Sequence, residues 1–263
     1  MSAYETILFE ADPQCAELRI VTLNRPALMN AMNTRMFQEL REVFRLLRDD
    51  PTVRAVVIAG GEKAFSAGGD LKERNAMSYD TWRQQHELIE ETFLGVRDFP
   101  WPVIAAVEGH AHGGGFELAM MTDFIIASET ARFSLPETRL GIMPGGGGVQ
   151  NIVRALGVPR GKRYLLTGDR INAEEALQWG LVTEVTAAGQ ARETALALAR
   201  RIARGAPMSV RYIKVAASRG AEVDFHTGYA LDIAAYNVLA SSADRVEGVA
   251  AFNEQRPPRW SNR

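Results

Sequence analysis

The sequence predicts an α/β fold, a mostly parallel sheet layered with helices and closed by a C-terminal helical region, on three observations. Residues 55–59, 103–107 and 124–127 are unbroken apolar runs, as in strands covered on both faces. A helix-periodic stretch precedes the first of them, and strand, helix, strand alternation implies right-handed crossovers. Beyond about residue 190, helical periodicity continues with no strand between.

Taken in order, residues 7–10 and 18–23 are β-type runs parted by Asp12-Pro13, and the second stops at Asn24-Arg25-Pro26. They read as two strands joined by a turn. Asn33-Thr34 then caps a helix in which Met36, Leu40, Val43, Phe44 and Leu47 recur at three- and four-residue spacing, up to Asp49-Asp50-Pro51. Residues 74–86 carry no such pattern and read as a long loop. Residues 191–203, 207–217, 225–239 and 243–252 are helical and fold onto the core or onto a neighbouring subunit.

Composition narrows the function. Hydrophobic residues make up 46% of 263, enough for a sizeable core. With 30 basic against 32 acidic side chains, the net charge of −2 argues against a polyanion-binding surface, so no nucleic acid partner is expected. Cys15 is the only cysteine, which excludes an internal disulfide and a multi-cysteine metal site. The start, Met1-Ser2-Ala3-Tyr4-Glu5, lacks a basic region followed by an apolar stretch, and no run approaches the roughly 18 apolar residues of a membrane span. The expected location is the cytoplasm, with no membrane contact.

Glycines cluster at Gly68-Gly69, Gly113-Gly114-Gly115 and residues 145–148. A nucleotide site fails on spacing: no G-x-G-x-x-G opens a helix, and Gly157-Val158-Pro159-Arg160-Gly161-Lys162-Arg163 has the wrong glycine separation with no Ser or Thr after the lysine. What remains is an anion site built of backbone, or tight strand-to-helix packing alone. If Gly114 opens a helix, its N–H lacks an intrahelical partner and sits at the positive end of the dipole. An N–H from the Gly69 turn would complete a two-donor oxyanion hole.

Glu117 lies three positions after Gly114, on the same helical face and among apolar residues, where an unpaired charge is costly. Glu137, in Leu135-Pro136-Glu137-Thr138, reads by itself as a carboxylate at a helix start. Two carboxylates beside an oxyanion hole suggest proton traffic at a stabilised enolate.

Residues 63–72 (KAFSAGGDLK), 107–123 (VEGHAHGGGFELAMMTD), 133–141 (FSLPETRLG) and 142–148 (IMPGGGG) resemble, in order and spacing, the motifs of the crotonase (enoyl-CoA hydratase/isomerase) superfamily. Leu23-Asn24-Arg25-Pro26 with Asn30-Ala31, Leu166-Thr167-Gly168, Trp179-Gly180-Leu181-Val182 and Ala251-Phe252 with Arg256 extend the resemblance over nearly the whole chain.

The resemblance implies a spiral of ββα units over residues 1–190 carrying the active site. Residues 191–263 would form a helical region used in oligomerisation, as homotrimer or dimer of trimers, and in covering the acyl pocket. It implies hydration of a 2-enoyl-CoA to a 3-hydroxyacyl-CoA, with Glu117 and Glu137 as the acid/base pair and the Gly69 and Gly114 N–H groups on the thioester carbonyl. Coenzyme A is part of the substrate, and no cofactor or metal is expected. Leu28, Ala67, Gly69, Asp70, Leu71, Lys72, Gly114 and Gly145 would contact the acyl-CoA, Lys72 at its phosphates. Gly69 stands where Ala is common, and His112 where an apolar residue is usual. His110 and His112 read as structural; were His112 to face the cleft, it would tune Glu117 or read a polar acyl group. Alternatives on the same scaffold are double-bond isomerisation and dehydration of a polar acyl-CoA such as carnitinyl-CoA. Relatives that bind AU-rich RNA supply an alternative of another class, against which the net charge weighs.

Overall fold

The computed structural model describes residues 4–263; Met1-Ser2-Ala3, the start of the segment read above as lacking a leader, lie outside the described residues. The chain opens with an antiparallel pair, β1 (Ile7–Asp12) and β2 (Cys15–Leu23). Helix α1 (Thr34–Asp49) begins where the Asn33 side chain accepts from the Met36 N–H, and it buries Met36, Phe37, Leu40, Val43, Phe44 and Leu47. Each such side chain contributes about 1.5–3 kcal/mol of burial free energy.

A repeating excursion follows. The chain makes β3 (Ala55–Ala59), β4 (Ala64–Ser66) and the helices α2 (Leu71–Asn75) and α3 (Tyr79–Arg97). It repeats with β5 (Val103–Val107), β6 (His110–His112) and α4 (Gly114–Met120), then with β7 (Phe124–Ser128), β8 (Arg132–Ser134), a 3-10 turn (Glu137–Leu140) and α5 (Gly148–Leu156). After α6 (Val158–Thr167) come β9 (Ile171–Asn172), α7 (Ala173–Gln178) and β10 (Glu184–Thr186). The last four helices are α8 (Ala191–Ala203), α9 (Pro207–Gly220), α10 (Phe225–Ala240) and α11 (Ala243–Asn253).

Each turn adds one strand to each of two sheets. The larger has the order β1-β2-β3-β5-β7-β10, parallel from β2 onward; the smaller has the order β4-β6-β8-β9, with β4, β6 and β8 parallel. This is the spiral of ββα units that the resemblance implies. The unbroken apolar runs now have a cause: Val56 and Ile58 of β3 face the core between the sheets, while Ala55, Val57 and Ala59 face a second core under α8. Strands packed on both sides cannot alternate with polar residues. In α8, Ala191, Ala195 and Ala199 let the helix lie close on the outer face of the sheet.

Helices α9 to α11 project beyond this body. They leave Ile213, Phe225, Tyr229, Tyr236 and Phe252 exposed, and a groove of about 1130 Å³ between them is lined mainly by apolar residues. Among the described residues no helix is long and apolar enough to cross a membrane.

Residues 74–86 are not a loop. The Asp70 side chain caps α2 and the Ser78 side chain caps α3, whose first half, from Tyr79, is largely exposed and polar. Its buried apolar positions, Leu88, Ile89, Phe93 and Val96, come only in the second half. With one face toward a cleft and another toward solvent, the first half has no apolar stripe for a periodicity argument to find.

Candidate active site

The C-terminal ends of β4, β6 and β8 lie side by side, because these strands are parallel and in register: Ser66 pairs with Ala111, and Ala111 with Phe133. Chain leaving them delivers Gly68-Gly69, then Gly113-Gly114 with Glu117, then Glu137, to one edge. Three turns of the spiral thus converge on a cleft of about 740 Å³.

Gly113 has φ +50, and Gly115 must be bare because a Cβ there would stand 2.5 Å from the Ser66 carbonyl oxygen. These demands set α4 directly on β4. Gly114 is the first residue of α4, so its N–H has no intrahelical acceptor. The Gly69 N–H lies 3.9 Å from where a Cβ of Gly114 would be, and neither N–H donates to a protein group among the described residues.

The Gly69 turn is braced from behind. Gly68 and Asp70 bond to Met32 through the pairs Met32 N–H to Gly68 oxygen, 2.8 Å, and Asp70 N–H to Met32 oxygen, 2.9 Å. Arg25 Nη1 meets Asp70 Oδ2 at 2.8 Å, and Asn30 Nδ2 donates to the Ala64 and Phe65 carbonyls. Burial pushes the Asp70 carboxyl up, but Arg25 and the Glu73 and Lys72 N–H groups outweigh it and hold it below the usual range. The Asn24-Arg25-Pro26 and Asn30 motif therefore shapes the turn that carries the donor.

Glu117 is buried, and its Oε1 accepts from the Gly146 N–H at 2.7 Å and the Gly148 N–H at 2.9 Å. Burial raises its pKa; the two N–H bonds, His86 and Arg74 pull against that rise. Glu137 is also buried, and its Oε2 has no hydrogen-bond partner. Burial, with the nearby Glu117 charge adding to it, pushes Glu137 up to about 7, despite the lowering effect of Arg74.

Of the residues expected at the site, Ala67, Gly69, Leu71, Gly114, Glu117, Glu137 and Gly145 line the cleft together. Leu28, Asp70 and Lys72 do not line it: Leu28 and Lys72 are exposed outside, and the Asp70 carboxylate serves Arg25 and the start of α2. His112 lies outside the cleft lining as well. Its Nδ1 bonds the Ser134 hydroxyl at 2.8 Å, its ring lies 5.0 Å from that of His110, and burial, then His110 and Arg170, push it down to about 4. It is structural. Residues lining the cleft that sequence reasoning missed include Arg74, Trp82, His86, Ile89 and Phe93, from the stretch read as a loop or the helix behind it, and Phe37 of α1 and Leu140 from elsewhere. Among the described residues no group of three or more His, Cys, Asp or Glu side chains is placed to hold a metal.

A family model described as enoyl-CoA hydratase/isomerase matches residues 15–263. A short-chain-enoyl-CoA hydratase of Clostridium acetobutylicum is 38% identical over 91% of this chain and 92% of its own. A 2,3-dehydroadipyl-CoA hydratase of Escherichia coli is 36% identical over 93% of this chain and 95% of its own. The crystal structure of an enoyl-CoA hydratase from Bacillus anthracis superposes with a TM-score of 0.94 at 39% identity, covering 98% of this chain and 100% of that one.

Proposed function

The chain belongs to the enoyl-CoA hydratase/isomerase family, and from that premise we propose that it adds water to a 2-enoyl-CoA through Glu117 and Glu137. The observation that carries this reading is the asymmetry of two buried carboxyls facing two free N–H donors. The thioester carbonyl sits on the Gly69 and Gly114 N–H groups. As water oxygen bonds to the β-carbon, the π electrons move toward that carbonyl, and the two donors stabilise the resulting enolate.

Glu117, whose charged form accepts two backbone N–H bonds, takes the water proton. Glu137, whose pKa near 7 keeps it protonated for part of the cycle, helps hold the water and gives a proton to the α-carbon. The product is a 3-hydroxyacyl-CoA. The charges on the two glutamates are then exchanged, and a proton returns to Glu137 before the next turn. The reaction consumes and releases only water and protons besides the thioester, so it calls for no separate cofactor.

The relatives' names leave the acyl group open, one specifying a short chain and another dehydroadipyl-CoA, whose acyl group ends in a carboxylate. The exposed apolar faces of α9 to α11 suit a homotrimer or a dimer of trimers, and the single cysteine suits the cytoplasm. Double-bond isomerisation and dehydration of a polar acyl-CoA use the same hole, and product analysis separates them from hydration.

The test is loss of enoyl-thioester absorbance with crotonyl-CoA, for the wild type beside Glu117→Gln and Glu137→Gln. Fast hydration, slowed in each variant by about 10²–10⁴-fold, supports the pair. A folded wild type that binds CoA but hydrates neither crotonyl-CoA nor a polar enoyl-CoA sinks the reading.

A further inference from the structure

Arg74 stands in the cleft as a cation held in place, with Glu117, Glu73 and Glu137 acting on it only from beyond ion-pair distance. Its Nε donates to Gln85 Oε1 at 3.0 Å, and its Cζ lies 4.8 Å from the centroid of the Trp82 ring. Gln85 is itself buried and fixed, its Nε2 donating to Thr34 Oγ1 at 2.7 Å and to Glu73 Oε2 at 2.9 Å. One edge and one face of the guanidinium are therefore occupied. Among the described residues, the terminal nitrogens Nη1 and Nη2 meet no hydrogen-bond acceptor and no carboxylate at ion-pair distance.

The other basic side chains lining the cleft have carboxylates nearby. Arg83 pairs with Glu87 at 3.8 Å, His86 with Glu90 at 3.1 Å, and Arg139 bonds the Thr167 carbonyl and faces Asp169. Among the described residues lining the cleft, Arg74 is the one arginine with no carboxylate at ion-pair distance.

Its position is specific. A Cβ on Gly69 would stand 2.9 Å from Arg74 Cζ and 3.0 Å from Nη1, so the absence of a side chain at Gly69 is what admits the guanidinium beside the oxyanion turn. A group bound by Arg74 therefore lies only a few atoms from the thioester carbonyl, along the acyl part rather than at the CoA phosphates. The Glu117 carboxylate makes the same space negative, which repels an anionic acyl tail unless a cation compensates. A planar guanidinium with both terminal nitrogens free fits one partner best, a carboxylate gripped by two parallel N–H bonds.

We infer that Arg74 is a specificity-determining residue that binds a second carboxylate on the acyl group, and that the preferred substrate is the mono-CoA thioester of a short unsaturated dicarboxylic acid. This rests on the hydratase reading for the reaction but not for the binding.

Two measurements keep the two claims apart. In turnover, glutaconyl-CoA is compared with the length-matched, uncharged 2-pentenoyl-CoA. The wild type is expected to favour glutaconyl-CoA by about tenfold or more in kcat/KM, mainly through KM, as befits a charge-assisted hydrogen bond. Arg74→Met is expected to abolish or invert that ratio, and Arg74→Lys to retain part of it. In binding, calorimetry with the saturated glutaryl-CoA and pentanoyl-CoA is expected to give the same preference and the same loss in Arg74→Met. A wild type that hydrates neither thioester yet prefers glutaryl-CoA through Arg74 overturns the hydratase reading and leaves this inference standing. Equal binding of the two saturated thioesters, or a preference unchanged in Arg74→Met, overturns the inference whatever the turnover.

Discussion

Glu117 and Glu137 share one cleft but not one environment. Oε1 of Glu117 receives two backbone N–H bonds from the turn that opens α5, whereas Oε2 of Glu137 is buried with no partner. Hydrogen bonds to the charged form favour ionisation, and burial without them opposes it, so the pair is poised with one member readier to hold a charge and the other a proton.

The alkaline limb of the hydration rate should follow from this. Glu137 is raised to about 7 by burial, with Glu117 adding to the rise, and only its protonated form supplies the α-carbon. The rate constant kcat/KM for crotonyl-CoA should fall as pH rises through about 7. A profile flat from pH 6 to 9 would remove Glu137 from the role of proton donor.

The same shift has a stability consequence. A carboxyl with a raised folded-state pKa favours folding fully below its unfolded value, near 4.5, and that contribution is lost as pH rises through about 7. Glu137→Gln should therefore melt higher than the wild type at pH 8, by about 2–4 °C for each kcal/mol recovered, and at the same temperature at pH 4. Calorimetry at equal protein concentration checks both values.

Gly148→Ala should disable Glu117 without unfolding the protein. The added Cβ would stand 2.9 Å from Glu117 Oε1 and 3.0 Å from Pro144 Cβ, so the carboxylate must move. A displacement of about 1 Å at a catalytic group costs on the order of 10² in rate. The expected result is that fall in kcat with an unchanged circular dichroism spectrum and retained CoA binding.

Asp70→Ala should loosen the oxyanion turn. It removes a largely buried partner of Arg25 and the cap of α2, a combined loss of about 2–4 kcal/mol. The midpoint of urea unfolding should drop accordingly, and KM should rise because the Gly69 N–H is no longer held. Normal stability in this variant would show that the Met32 bridge braces the turn alone.

His112→Leu should leave substrate preference untouched, since the ring bonds Ser134 and does not line the cleft. The comparison is the kcat/KM ratio for two acyl chain lengths. A changed ratio would mean that His112 reaches the acyl group during turnover.

Much of the fold was legible because its signals are local. β3, β5 and α8 run over the residues that periodicity picked out, and α1 starts at the Asn33 cap. The smaller sheet was not legible. Strands of two or three residues, such as Ile171–Asn172, are too short to show alternation, and they exist because neighbouring turns of the spiral hold them in register. Helix α3 was hidden for a different reason, its first half being polar toward both cleft and solvent.

For the site, the sequence by itself determined which groups are available: two glutamates, bare glycines at the turns, and an order of motifs that brings them from three successive ββα units. Their spacing along the chain reflects helical and strand geometry, which short segments carry on their own. Only the tertiary structure decided what those groups do. Glu117 gained its two N–H bonds from residues 29 and 31 positions away, Glu137 was buried with its Oε2 unpaired, and Arg74 came to rest against Gly69 with its terminal nitrogens free. Protonation and unpaired charge depend on burial and on partners from distant segments, and those are properties of packing rather than of any stretch of chain.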